Sequence, residues 1–214
     1  GEPLGGREAA RAKAADKSAP SAGDWRVLAT WPVVLNLIFF MLIASVSVGT
    51  QNYGIVALQA LRGTTLSFST TAITVYLMFS ACAVLVGGWL VSRTERHEVV
   101  ALIGLFVSGV ALIPIAFIDL GTTILISLMA ISGFANGVIQ PSRDMIVRAV
   151  TPPGAFGRVF GFVTTGFNIG GVLAPPVFGY MMDVGSPASV IVGTAVLSLA
   201  AMPAVLLTVA GRPR

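Results

Sequence analysis

Six long apolar stretches, none holding a charged side chain, decide what this chain can become. They run over residues 31–58, 70–91, 99–118, 122–139, 159–182 and 188–210, and all 13 Lys/Arg and all 9 Asp/Glu residues fall outside them. A charge at the middle of a membrane helix costs about 2.5–3.5 kcal/mol on insertion scales, so this segregation is what lipid enforces. Each stretch is also long enough to cross a hydrocarbon core of about 30 Å as a helix rising about 1.5 Å per residue. The expected fold class is an all-α membrane protein with six transmembrane helices. Only 10% of the residues are charged, against about 25% in a soluble domain, and the mean hydropathy of +0.89 agrees.

The net charge of +4 and a pI near 9.8 would point to nucleic acid in a soluble chain. Their placement excludes that partner. Six spans return the chain to its starting side. On that side fall Arg7, Arg11, Lys13, Lys17, Arg26, Arg93, Arg96, Arg143, Arg148, Arg158, Arg212 and Arg214, which are 12 of the 13 basic residues. The opposite loops hold Arg62, with Asp119 and Asp183. The excess of basic residues in cytoplasmic loops puts both termini in the cytoplasm, with Trp25, Trp31 and Trp89 at span ends on that side. A multi-pass protein of the bacterial inner membrane is expected, with the lipid bilayer as its first partner. Residues 1–26 are polar and aperiodic and read as a cytoplasmic linker or tail. Residues 27–211 form the bundle, and 212–214 a cytoplasmic C-terminus. Cys82 has no partner cysteine, so no disulfide forms within the chain. Spans one to three and four to six are units of similar size that start from opposite sides, the layout of an inverted repeat.

The fifth stretch, Arg158 to Asp183, is rich in glycine and carries a proline pair. Both are costly in a soluble helix and tolerated in a membrane bundle, where neighbours re-satisfy freed backbone groups. Gly161, Thr165, Asn168, Val172 and Pro175 share one face by steps of three and four. Gly166 and Gly170, like Gly133 and Gly137 in the fourth stretch, are small-xxx-small pairs suited to close helix contact. Pro175 and Pro176 are expected to bend the fifth span.

The second-to-third loop reads G-G-W-L-V-S-R-T-E-R-H, and resembles the cytoplasmic loop signature of the major facilitator superfamily. Gly88, Arg93 and Arg96 match; Ser92 stands where the family prefers Asp, and Glu95 where it prefers Gly. The runs G-F-A-N-G-V-I-Q-P-S-R-D and T-P-P-G-A-F-G-R-V-F-G resemble its tenth helix and the start of its eleventh. The resemblance covers the chain from about Trp25 onward. It implies half of a twelve-helix fold: six helices as two inverted three-helix repeats, partnered by an N-terminal six-helix half that residues 1–26 would join. It also implies a substrate cavity lined by the first, second, fourth and fifth spans.

Polar residues on those spans are the substrate-binding candidates: Ser45, Gln51 and Asn52; Tyr76 and Ser80; Ser132, Asn136 and Gln140; Thr164, Thr165 and Asn168. The run G-T-Q-N-Y-G at 49–54 offers a place for the first span to loosen. The plain alternative for a Ser or Thr is a hydrogen bond within the bundle. A buried carboxamide has more groups to satisfy, which favours a wet cavity for Gln51, Asn136 and Asn168. Gly88, Ser92, Arg93 and Arg96 are candidate gating residues. Asp144 and Arg148, four apart, are gating candidates as well and can pair if that segment is helical. His97 beside Glu98 reads as solvated. No metal cluster and no nucleophile–base set is present in the sequence, so neither an enzyme nor a cofactor is expected.

The leading expectation is alternating-access transport of a small organic solute, specifically proton-coupled efflux of a drug or metabolite. G-G-V-L-A-P-P-V-F-G faintly resembles the antiporter signature of the same superfamily. With no Asp, Glu or His inside the six spans, any proton site is expected in the N-terminal half. The absence of Arg or Lys on the expected cavity face speaks against an anionic substrate. The rival readings are an uptake symporter and a non-transporting six-span scaffold.

Overall fold

The computed structural model describes residues 25–210. The chain enters through a short 3-10 turn, Trp25–Ala29. The first span is composite: α1 (Trp31–Val48), one π-helical turn (Gly49–Tyr53) and α2 (Gly54–Arg62). Then follow α3 (Leu66–Arg93), α4 (His97–Phe117), α5 (Thr122–Val150), α6 (Phe156–Val184) and α7 (Pro187–Ala210). Local chemistry sets several ends. Pro32 sits in the first turn of α1, where its missing N–H costs nothing. Gly63 takes φ 60° to end α2, and Thr65 Oγ1 accepts from Phe68 N at 3.2 Å to start α3.

The first span and α3, α4, α5 and α7 are long and apolar enough to cross a membrane. α6 has the length, 29 residues, but its glycines, threonines, Asn168 and prolines interrupt its apolar runs, and it is not among that set. The fourth span differs most from expectation. It was expected to end at residue 139, yet α5 runs to Val150, straight through Pro141. The ring of Pro141 lies against Gly87 of α3, where a Cβ would come within 2.8 Å of its Cγ. The charged residues Arg143, Asp144 and Arg148 are therefore helical, and the loop to α6 shrinks to 151–155.

Two apolar clusters show how the chain threads. One gathers Val27 and Val33 with the start of α4 (Ala101, Leu105), the end of α5 (Ile146, Val147), the start of α6 (Val159) and the end of α7 (Val205). The other gathers Leu58 with the start of α3 (Ala72), the end of α4 (Leu112, Ile115), the start of α5 (Leu125), the end of α6 (Phe178) and the start of α7 (Val190). Successive spans thus alternate in direction. Arg93, Arg96, Arg143, Arg148 and Arg158 lie toward the first end, and Arg62, Asp119 and Asp183 toward the second. At the second end Arg62 closes the C-terminus of α4: Nη2 donates to the carbonyls of Ile115 (2.8 Å) and Ile118, and Nη1 pairs with Asp119 at 3.5 Å.

The packing has the symmetry of two inverted three-helix repeats. α1 packs chiefly on α6, as α5 packs on α3; α1 also packs on α7, as α5 packs on α4. Exchanging the first span with α5, α3 with α6 and α4 with α7 maps these principal pairings onto one another. Glycine makes the two principal seams. A Cβ on Gly166 or Gly170 would collide with the backbone carbonyl of Leu37 or Met41 of α1. A Cβ on Gly133 or Gly137 would do the same to Tyr76 or Ser80 of α3. In lipid, where apolar surface gives helices little reason to associate, such close backbone approach supplies the van der Waals contact that does. α6 stays α-helical through Pro175 and Pro176.

Candidate functional site

A cleft of about 570 Å³ opens on the bundle, lined by the first span, α3, α5 and α6 and by neither α4 nor α7. Its polar side chains are Ser47, Gln51, Asn52, Ser80, Asn136, Gln140, Arg143, Thr164 and Asn168. Five are carboxamides, each offering both donors and acceptors.

The π turn places two of these carboxamides. Its wider winding breaks the α register between α1 and α2, and both Gln51 and Asn52 emerge exposed on the cleft. Such turns are frequent at functional sites. Gly49 begins the turn because a side chain there would meet Thr194 and the Phe178 ring. Tyr53 ends it and reaches across: its hydroxyl donates to the Pro175 carbonyl at 2.8 Å, and its ring lies 5.7 Å from that of Phe178. On α5, Asn136, Gln140 and Arg143 follow steps of four and three along one face. On α6 the cleft face is Thr164, Phe167, Asn168 and Gly171.

Four of the expected binding residues lie elsewhere. Ser45 turns onto its own helix, donating to Met41 O at 3.0 Å. Tyr76 is buried at 1% exposure, in the cluster with Ala72 and Leu125. Ser132 is fully buried and shares a hydrogen bond of 3.1 Å with Ser108 of α4. Thr165 bonds Phe162 O at 2.6 Å and faces outward beside the cleft, not into it. Shared helical steps put these residues near the cavity face, but each is rotated onto the flank where helices meet or surface begins. Ser47, absent from the sequence-based candidates, lines the cleft one turn before Gln51, a spacing that carries the signal for it.

The sequence pattern places Arg143 in the loop after the fourth span and predicts no Arg or Lys on the cavity face. Because α5 continues past Pro141, its guanidinium lines the cleft. The group lies 4.3 Å from the centroid of Phe40 and 6.0 Å from that of Phe167. Its side chain is 15% exposed, and Nε meets Asp144 Oδ1 at 3.1 Å. The expected Asp144–Arg148 pair is replaced by this contact, and Arg148 points outward.

The family model described as Major Facilitator Superfamily matches residues 13–214. The chain belongs to the major facilitator superfamily. No curated protein matches it. Members of the superfamily are membrane transporters, so this chain is an integral, multi-pass membrane protein of a transporter family, in contact with lipid and a solute. The superfamily-like loop between α3 and α4 is exposed. Ser92 donates to Trp89 O at 2.7 Å rather than reaching outward, and Arg93 lies 4.8 Å from the Trp89 ring centroid. Arg96 is exposed, and a Cβ on Gly88 would meet nothing within 4 Å. The glycine that packs in this signature is Gly87, against Val138 and Pro141. Of the basic residues counted for topology, Arg7, Arg11, Lys13, Lys17, Arg212 and Arg214 lie outside the described residues, as does the expected linker before Trp25.

Proposed function

We propose that this chain forms one wall of an alternating-access carrier for a small organic solute, with Gln51, Asn52, Ser80, Asn136, Gln140, Thr164 and Asn168 as solute contacts. The observation that carries this reading is the cleft itself: five carboxamides from three spans converge on one open face of an otherwise apolar bundle. Of the five only Asn136 is buried, and the others open onto the cleft; carboxamides left facing hydrocarbon would be costly, so a face that gathers them serves a polar guest. The wall opposite would be an N-terminal six-helix half, joined through residues 1–26, with both termini in the cytoplasm of a bacterial cell. Proton-coupled export is the proposed mode. Its support is the faint antiporter-like run on α6, and the proton site would lie in the other half, since no carboxylate or imidazole lines this cleft. Gly88, Ser92, Arg93, Arg96, Asp144 and Arg148 would act at the cytoplasmic gate.

The test is solute exchange by the intact carrier in proteoliposomes, with and without an imposed pH gradient. The reading expects uptake that saturates, responds to the gradient and falls severalfold in Asn168→Ala and Asn136→Ala. It expects Arg93→Ala to slow exchange while leaving membrane insertion intact. Exchange indifferent to all three substitutions would sink it.

A further inference from the structure

We propose that the cleft takes a small organic anion and that Arg143 receives its carboxylate or phosphoryl oxygens. This rests on the carrier reading above and names the solute class of the same site. Arg143 is the only charged residue among those lining the cleft; the other polar liners are neutral hydroxyls and amides. A cationic solute would therefore meet like charge with no carboxylate among the lining residues to hold it, whereas an anion meets the one charged group that lines the cleft.

The surroundings of the guanidinium point the same way. Its central carbon lies 4.3 Å from the centroid of the Phe40 ring, itself held at 1% exposure in the apolar cluster, and 6.0 Å from that of Phe167. Those rings offer its N–H donors no carbonyl or carboxylate, which leaves the donors for a ligand. Asp144 occupies only Nε, and neither Nη nitrogen has a protein acceptor among the described residues. The Asp144 side chain is 44% exposed, so water screens its charge. A guanidinium with 15% exposure and one of its three nitrogens engaged is an incompletely compensated charge. A carboxylate or phosphoryl group bridging the Nη pair would complete it with charge-assisted bonds. Gln140 and Asn136, one and two turns back on the same face of α5, are placed to bond the rest of such a solute.

The test uses the intact carrier in detergent, titrated with benzoate, phenylphosphonate, benzamide and benzylamine while its thermal unfolding midpoint is followed. Benzoate or phenylphosphonate should raise the midpoint saturably, their difference naming the preferred head group. The neutral amide and the cationic amine should not. Arg143→Gln should weaken anion binding on the order of tenfold to a hundredfold, and Arg143→Lys by less. Equal responses to benzoate and benzamide, no response to either anion, or an anion response unchanged in Arg143→Gln would each overturn the proposal. The benzoate–benzamide comparison on the unsubstituted protein decides the matter even if the Gln variant does not fold. Uptake measured alongside separates the two readings. Anion binding that depends on Arg143 without any solute exchange removes the carrier and keeps the anion site. Exchange confined to neutral or cationic solutes does the reverse.

Discussion

Ser132 and Asn136 are one turn apart on α5 and illustrate how far a single residue's role depends on rotation about the helix. Ser132 faces α4 and is satisfied by Ser108; Asn136 is 6% exposed and faces the cleft. Hydrogen bonds between membrane helices are worth about 0.6 kcal/mol on average. Ser132→Ala should therefore cost roughly that in unfolding free energy and leave solute exchange intact. Asn136→Ala should lower exchange severalfold at similar stability; measuring both properties on both variants checks the division. The glycines divide as sharply. Gly137 faces the Ser80 carbonyl, which cannot yield, whereas a Cβ on Gly161 meets nothing within 4 Å. Gly137→Leu should lose the folded carrier in detergent, since overpacking costs at least about 1–3 kcal/mol even where a core can adjust. Gly161→Ala should leave its thermal midpoint unchanged or raised.

At the scale of elements, the π turn between α1 and α2 supplies two of the five carboxamides of the cleft. Its adjacent residues Gln51 and Asn52 both line the opening. Its far end is tied by the Tyr53 hydroxyl to Pro175 of α6. Tyr53→Phe removes that bond and should destabilise the carrier by about 0.5–1.5 kcal/mol. If the tie also positions the turn, the half-saturating solute concentration should rise as well; chemical unfolding paired with exchange kinetics separates the two effects. The extension of α5 past Pro141 is the second such feature. It turns a presumed loop into helix and so delivers Arg143 to the cleft beside Phe40.

For the whole molecule, the inverted pairing of α1 with α6 and α5 with α3 leaves α4 and α7 behind the cleft as a scaffold. The four cleft-lining spans then present one continuous wall, the arrangement suited to rocking against an opposing half. The threading predicts which loops share a face of the membrane. In a Cys82→Ser background, cysteines placed at Glu95 and Gly154 should react with an impermeant thiol reagent from one side. Cysteines at Asp119 and Gly185 should react from the other. Labelling of the Glu95 and Gly154 sites from opposite sides would contradict the six-span arrangement.

The all-helical membrane class and the two glycine seams are legible in the sequence because lipid penalises charge and rewards close backbone contact locally, residue by residue. The resemblance of the α3–α4 loop and of α5–α6 to the superfamily was carried by contiguous motifs. What the chain order could not convey was rotation and continuity. Whether Thr164 or Thr165 faces the cleft, whether Ser132 meets water or Ser108, and whether Arg143 ends a loop or lines a cavity depend on how each helix is turned by its neighbours. Those choices are made by packing between residues far apart in the chain: Pro141 on Gly87, Tyr53 on Pro175, and the Arg143 guanidinium over Phe40.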